Sequence, residues 1–224
     1  MTGILVGLIV SWILLHFIER ESLTALITFP LTWDLKRFTA GFAITAILCC
    51  AVQILHSVLQ ESKIVFTQTS PSTILQMSWW DFKSVLTEEL IFRGAVLYIL
   101  IRRLGQPKAI AISAIAFGVY HWFSYGIFGN IVLMVVVFIG TATMGYALAL
   151  AFAKTRSILM PIGLHFGWNF TLNTIFSKGP LGNGLLISHG GYPTSDWFSL
   201  IGLWLAPVLV VVFVKYVVVA SNNQ

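Results

Sequence analysis

The chain has 224 residues, 58% of them hydrophobic and only 9% charged, with a formal net charge of +5 at pH 7 and a mean hydropathy of +0.90. A soluble domain carries about 25% charged residues, so these few charges could not cover a water-exposed surface, and most of the surface must face lipid. The thirteen Lys and Arg are scattered through short polar gaps between apolar runs, as in membrane proteins; a nucleic-acid binder would gather them on one face, and no nucleic-acid partner is expected.

A helix needs roughly 20 apolar residues to cross the hydrocarbon layer. The first such run, Thr2–Phe17, closes at Glu19-Arg20-Glu21. No basic residue precedes it and no small-residue cleavage site follows, so it reads as a retained span rather than a signal segment. Leu23–Trp33 is apolar but broken by Pro30, and reads as partly interfacial. The second span, Phe38–Leu59, follows Lys36-Arg37 and contains Cys49 and Cys50, which read as small apolar packing residues. A polar stretch, Gln60–Ser72, leads to Thr73–Phe82, where Trp79 and Trp80 are expected as interfacial anchors.

The third span, Asp81–Ile101, carries Glu88, Glu89 and Arg93. Arg102 to Lys108 is a turn, with basic residues at a helix end followed by Gly105 and Pro107. Then come the fourth span, Ala109–Phe123, the fifth, Asn130–Ala153, the sixth, Ser157–Phe176, a Gly-rich loop Ser177–Asp196, and the seventh span, Trp197–Val219. The expected fold is all-α, a polytopic membrane helix bundle of about seven transmembrane helices with no soluble domain. Residues 1–72 are expected to form the N-terminal transmembrane helices and a connecting amphipathic segment, and residues 73–224 a core whose polar motifs, the candidate catalytic groups, fall within 80–177, the two making one integral membrane domain. The loops after spans one, three and five hold eight Lys and Arg against three in the others, which places the N-terminus outside a cell membrane that the chain crosses several times.

Charged groups at membrane depth are costly and face a bundle interior or a water-filled cavity. Glu89 and Arg93 lie i,i+4, on one helix face, and can form an ion pair. Glu88 points about 100° away, free of that pairing and available as a general base. His121 lies late in span four; His165 and Asn169 share a face of span six at i,i+4. Counted from Arg102, Lys108 and Arg156, the rise along each helix puts Glu88 at ~21 Å, His121 at ~20 Å, Asn169 at ~20 Å and His165 at ~14 Å from one membrane face, so the four can converge. Converged, Glu88 and His121 could hold and deprotonate a water, while His165 and Asn169 could donate to an oxyanion. Glu88, His121 and His165 could alternatively bind a divalent metal such as zinc as a carboxylate and two imidazoles.

The segments Glu88-Glu89-x-x-x-Arg93, Phe117-x-x-x-His121 and His165-x-x-x-Asn169 resemble the three motifs of the CPBP family, the CAAX proteases and bacteriocin-processing enzymes also called Abi, which includes the type II CAAX prenyl endopeptidases. The resemblance covers residues 80–177 and implies a helical intramembrane endopeptidase. Glu88 would be its general base, His121 would help bind the water, and His165 and Asn169 would stabilise the tetrahedral intermediate. Glu89, Arg93 and Phe117 would support the site. The substrate would be a peptide or a membrane-anchored protein in the lipid bilayer.

Other readings accompany this one. A Glu–Arg pair or a His–Asn pair between membrane helices can be structural glue, which would leave a non-proteolytic immunity or regulatory protein of the same fold. A third reading is a proton-coupled transporter with Glu88 and Glu89 as a relay; against it, the sequence shows no obvious internal inverted repeat, and the Glu89–Arg93 pairing would hinder proton cycling. His16, His56 and His189 read as interfacial, structural and solvated, respectively. Gly140 and Gly145 read as close helix packing in span five.

Overall fold

The computed structural model describes residues 2–193 and 200–219. Helix α1 (Thr2–Leu14) runs into a π turn, Leu15–Glu19, which Arg20 ends in the left-handed region. A 3₁₀ turn, Leu23–Leu26, precedes α2 (Leu31–Leu59). Strand β1 (Lys63–Phe66) leads to α3 (Pro71–Arg93), whose first turn is capped by the Ser70 hydroxyl accepting from the Thr73 amide at 3.2 Å, with proline at the position where its missing N–H costs nothing. Helices α4 (Ala95–Leu104), α5 (Gln106–Ser124), α6 (Ile131–Thr155) and α7 (Leu159–Asn169) follow, and α7 continues as a π turn, Phe170–Ile175. Strand β2 (Leu186–His189) pairs antiparallel with β1, Lys63 opposite His189. A further π turn, Ile201–Leu205, opens α8 (Ala206–Tyr216).

The bundle is turned outward as lipid requires. Leu5, Ile9, Ile47, Ile54, Val58, Ile115, Val132, Val135, Val208 and Val212 are all exposed, which a water-soluble protein would not tolerate over so wide an area. The interior is built from Val85, Leu97, Ala109, Ala149, Phe152 and Ile162.

Among the described residues, three helical stretches are long and apolar enough to cross a membrane by length and composition: Thr2–Glu19, Leu31–Leu59 and Ile131–Thr155. The remaining runs depart from the seven continuous spans of the sequence reading. The third is divided at Gly94, where α3 ends at Arg93 and α4 begins at Ala95. The sixth leaves α-helical geometry at Phe170. The seventh is described as the shorter apolar helix Ile201–Tyr216, and the Trp197 proposed to begin it lies outside the described residues. The segment before Asp81 is the first part of α3, not a separate interfacial piece.

Glycine decides how closely α7 packs on α2. On α7, Gly163 and Gly167 share one face four residues apart; a Cβ on them would stand 2.2 Å from the Phe38 oxygen and 2.3 Å from the Phe42 oxygen of α2. Facing them, a Cβ on Gly41 would meet the Leu164 amide nitrogen at 2.9 Å. Two backbones can approach this closely only where side chains are missing. Residue 165 lies two positions from each of these glycines, roughly 200° around the helix, so seating the glycine face on α2 turns His165 away from it. On α6, Gly145 admits Phe117 in the same way and Gly140 admits the Leu203 carbonyl, as expected for close packing in the fifth span.

One end of the bundle gathers the basic loops. Arg102 and Arg103 each reach Glu19 at 3.2 Å, and Arg37 pairs with buried Asp34 at 3.1 Å. Asp34 also accepts from the Ser157 hydroxyl at 2.7 Å and the Thr28 amide at 2.6 Å, tying the start of α2 to the α6–α7 link. Lys154 donates to the Val214 and Lys215 carbonyls at the end of α8. The loops after the first, third and fifth spans therefore lie on one face, as the charge count assumed.

Replacing Gly163 or Gly167 by valine should separate α2 from α7 and cost at least ~1–3 kcal/mol as overpacking against backbone. Thermal unfolding in detergent checks this, with lipid-facing Ile47→Val as the neutral control.

Candidate active site

Two polar stripes face one another in the bundle. On α3, Asp81, Ser84 and Glu88 recur at spacings of three and four; on α7 and its π turn, His165, Asn169 and Asn173 recur at four. Four residues advance an α-helix roughly 40° beyond a full turn, and the wider π turn takes that drift back, which keeps Asn173 on the cavity side. Ser84, Glu88, His165, Asn169 and Asn173 line one cavity of about 940 Å³.

At the inner end, Glu89 and Arg93 have no exposed surface and pair through Oε1 and Nη1 at 3.2 Å. Arg93 Nη2 donates to the Gly145 carbonyl at 3.2 Å, and its guanidinium lies 4.2 Å from the centre of the Phe117 ring. The same Glu89 oxygen takes His165 Nδ1 at 2.8 Å, and since a carboxylate only accepts, Nδ1 carries the proton. His165 Nε2 then faces Glu88 Oε2 at 3.9 Å. Phe117 is the common wall, its ring 5.8 Å from that of His165 and 4.5 Å from that of His121.

Glu88 accepts a long contact from the Ser84 hydroxyl at 3.4 Å on Oε1, while its buried Oε2 has no hydrogen-bond partner among the described residues. His121 Nδ1 lies 2.7 Å from the Phe117 carbonyl. A carbonyl only accepts, so Nδ1 is the protonated nitrogen, and neutral His121 keeps its lone pair on Nε2. Tyr120 and Tyr125 meet the His121 ring edge-on, with ring centres 5.3 and 5.1 Å away.

The residues singled out from sequence are thus brought together: Glu88, His121, His165 and Asn169 line the cavity, and Glu89, Arg93 and Phe117 form the buried layer beneath. One feature of the sequence reading changes. Glu89 serves His165 as well as Arg93, so His165 stands between two carboxylates. His56, read as structural, also lines the cavity; His16 stacks on Trp12 at the exposed surface, and His189 is exposed on β2. Asp81 and Asn173 went unread, although a polar residue seven positions before Glu88 on the same helix face was the available signal. Cys49 is buried and Cys50 partly so, as packing residues would be.

Zinc would need Glu88 and both imidazoles turned to one point. Among the described residues no group of three or more His, Cys, Asp and Glu is arranged to hold a metal ion.

Arg93 and Glu89 separate in function from Glu88 by this geometry. Glu89→Gln should leave a buried guanidinium uncompensated and cost about 3–5 kcal/mol, seen as a lower unfolding temperature in detergent, whereas Glu88→Gln should fold like the parent.

No curated protein and no solved structure gives a significant match to the chain. A family model does, over the segment that holds α3 to α7 and every residue of the three motifs. Residues 70–171 match the family described as Type II CAAX prenyl endopeptidase Rce1-like, the prenyl endopeptidases that those motifs resemble.

Proposed function

We propose that the chain is a multi-pass intramembrane endopeptidase of a cell membrane, cutting a peptide bond in a membrane-associated peptide or protein. The observation that carries this reading is a buried carboxylate oxygen of Glu88, unpartnered among the described residues, on the wall of a cavity of about 940 Å³, facing His165 and sharing the cavity with His121 and Asn169.

In this reading a water sits between Glu88 Oε2 and His121 Nε2. Glu88 removes one proton as the water oxygen bonds to the carbonyl carbon of the substrate. Asn169 donates to the resulting oxyanion, and so does His165 through Nε2 when that nitrogen carries a proton besides the one Nδ1 gives to Glu89. The negative charge moves from Glu88 to the oxyanion without leaving the reach of His165. Glu88 then returns its proton to the departing amide nitrogen and the C–N bond breaks. Preorganised donors in a site screened from bulk water are the largest single contribution such a site can make.

The cavity reaches Gln53 and His56 near the end of α2 and the loop Lys178 to Pro180, all remote from the basic face. With the positive-inside distribution, the peptide would enter from the side opposite the cytoplasm.

Glu88→Gln should lower turnover about 10²–10⁴-fold as the loss of a general base, and Asn169→Ala about 10²–10³-fold as the loss of an oxyanion donor. Peptides released into membrane and medium by cells expressing parent or Glu88→Gln protein at equal abundance, compared by mass spectrometry, check both the activity and the cut site. Identical profiles would sink the endopeptidase reading in favour of a binding or immunity role.

A further inference from the structure

Asp81 has no exposed surface, and both its oxygens are taken: Asn173 Nδ2 donates to Oδ1 at 2.7 Å and the Thr174 hydroxyl to Oδ2 at 2.8 Å. A clamp between α3 and the π turn would need only one of these. Thr174 is fully buried and does not line the cavity, whereas Asn173 does. With Asn173 Nδ2 on Asp81, the amide Oδ1 is left as an acceptor without a hydrogen-bond partner among the described residues. The loop after the π turn is shaped around this side chain. A Cβ on Gly179 would stand 2.6 Å from Asn173 Cβ, so the loop crosses directly over Asn173 while Lys178 and Pro180 complete the cavity wall. Asn173 is therefore an oriented acceptor located between the Glu88–His165 level and the covering loop.

We propose that Asn173 accepts a hydrogen bond from a backbone N–H of the bound peptide, with Asp81 as the buried positioning residue that fixes the amide, and that this contact sets which bond is presented to Glu88. The inference rests on the endopeptidase reading. Asn173 lies eight residues beyond His165, ~12 Å along the helix. An extended peptide advances ~3.3 Å per residue, so the N–H it holds belongs to a residue about three or four positions from the scissile bond. A backbone contact of this kind restricts register and not side-chain identity, which suits a cavity whose other walls are largely aromatic and aliphatic.

The test uses the full-length protein in liposomes and a short lipid-anchored peptide spanning a cut site lost with Glu88→Gln. The backbone amides of this peptide are N-methylated one at a time. For the parent protein, methylation at one position three or four residues from the cut should raise KM roughly three- to tenfold with kcat nearly unchanged, as expected for one hydrogen bond. Asn173→Ala should show the same rise on the unmethylated peptide and no further rise on methylation. Thr174→Val loosens the same clamp without touching the acceptor and should keep the sensitivity to methylation. If methylation and Asn173→Ala act independently at every position, or if Asn173→Ala lowers kcat with KM unchanged, the Asn173 proposal is overturned while the endopeptidase reading stands. If the parent cuts no peptide that Glu88→Gln spares, both fall together.

Discussion

Arg93 is a permanent cation with no exposed surface, in a helix bundle whose outside is apolar. Its charge must be answered within hydrogen-bond reach, because neither lipid nor distant water can do so. Glu89 answers it, the Gly145 carbonyl takes a second N–H, and the Phe117 ring covers the guanidinium face. These partners belong to α3, α6 and α5. Satisfying one buried charge therefore fixes three helices against one another, and the layer above them inherits that geometry. His165 extends the arrangement to α7, since its Nδ1 closes on the Glu89 oxygen already held by Arg93.

The split between the adjacent glutamates follows from this layer. A helix turns about 100° per residue, so if Glu89 points into the buried pair, Glu88 points to the cavity. Function then depends on how the opposing wall is presented, and here the glycines matter. Gly163 and Gly167 seat α7 on the backbone of α2, and the helical repeat turns His165 toward the carboxylates. The π turn that follows holds the polar stripe of α7 in line for a further turn. π turns are often found at functional sites for this reason: an extra residue re-aims side chains without ending the helix. The stability of the α2–α7 contact and the aim of His165 are consequences of one pattern of missing side chains.

The cavity is asymmetric along the bundle. Arg37, Arg102, Arg103 and Lys154 cap one end of the bundle and are engaged with Asp34, Glu19 and helix-end carbonyls. The cavity reaches the other end, under the loop that carries Lys178. The basic end is closed by short-range polar bonds, and the opposite end carries the loop-rich segments in which adaptable contacts to a ligand are usually found.

The class of protein was legible from composition, because a chain with 9% charged residues can cover itself only with lipid. The candidate site was legible for a related reason. In so apolar a chain each ionisable group at helix depth stands out, and the spacings of Glu89 with Arg93 and of His165 with Asn169 fixed which groups share a face. Sequence alone could not count the continuous spans, since Gly94 and Phe170 sit within apolar runs whose hydropathy gives no sign of the break between α3 and α4 or of the π turn. Nor could it assign His165 to Glu89, or Asn173 to Asp81, because these pairs are separated by 76 and 92 residues and depend on how far two helices rotate when they pack. Local spacing determines which groups share a helix face; only tertiary packing decides which faces meet.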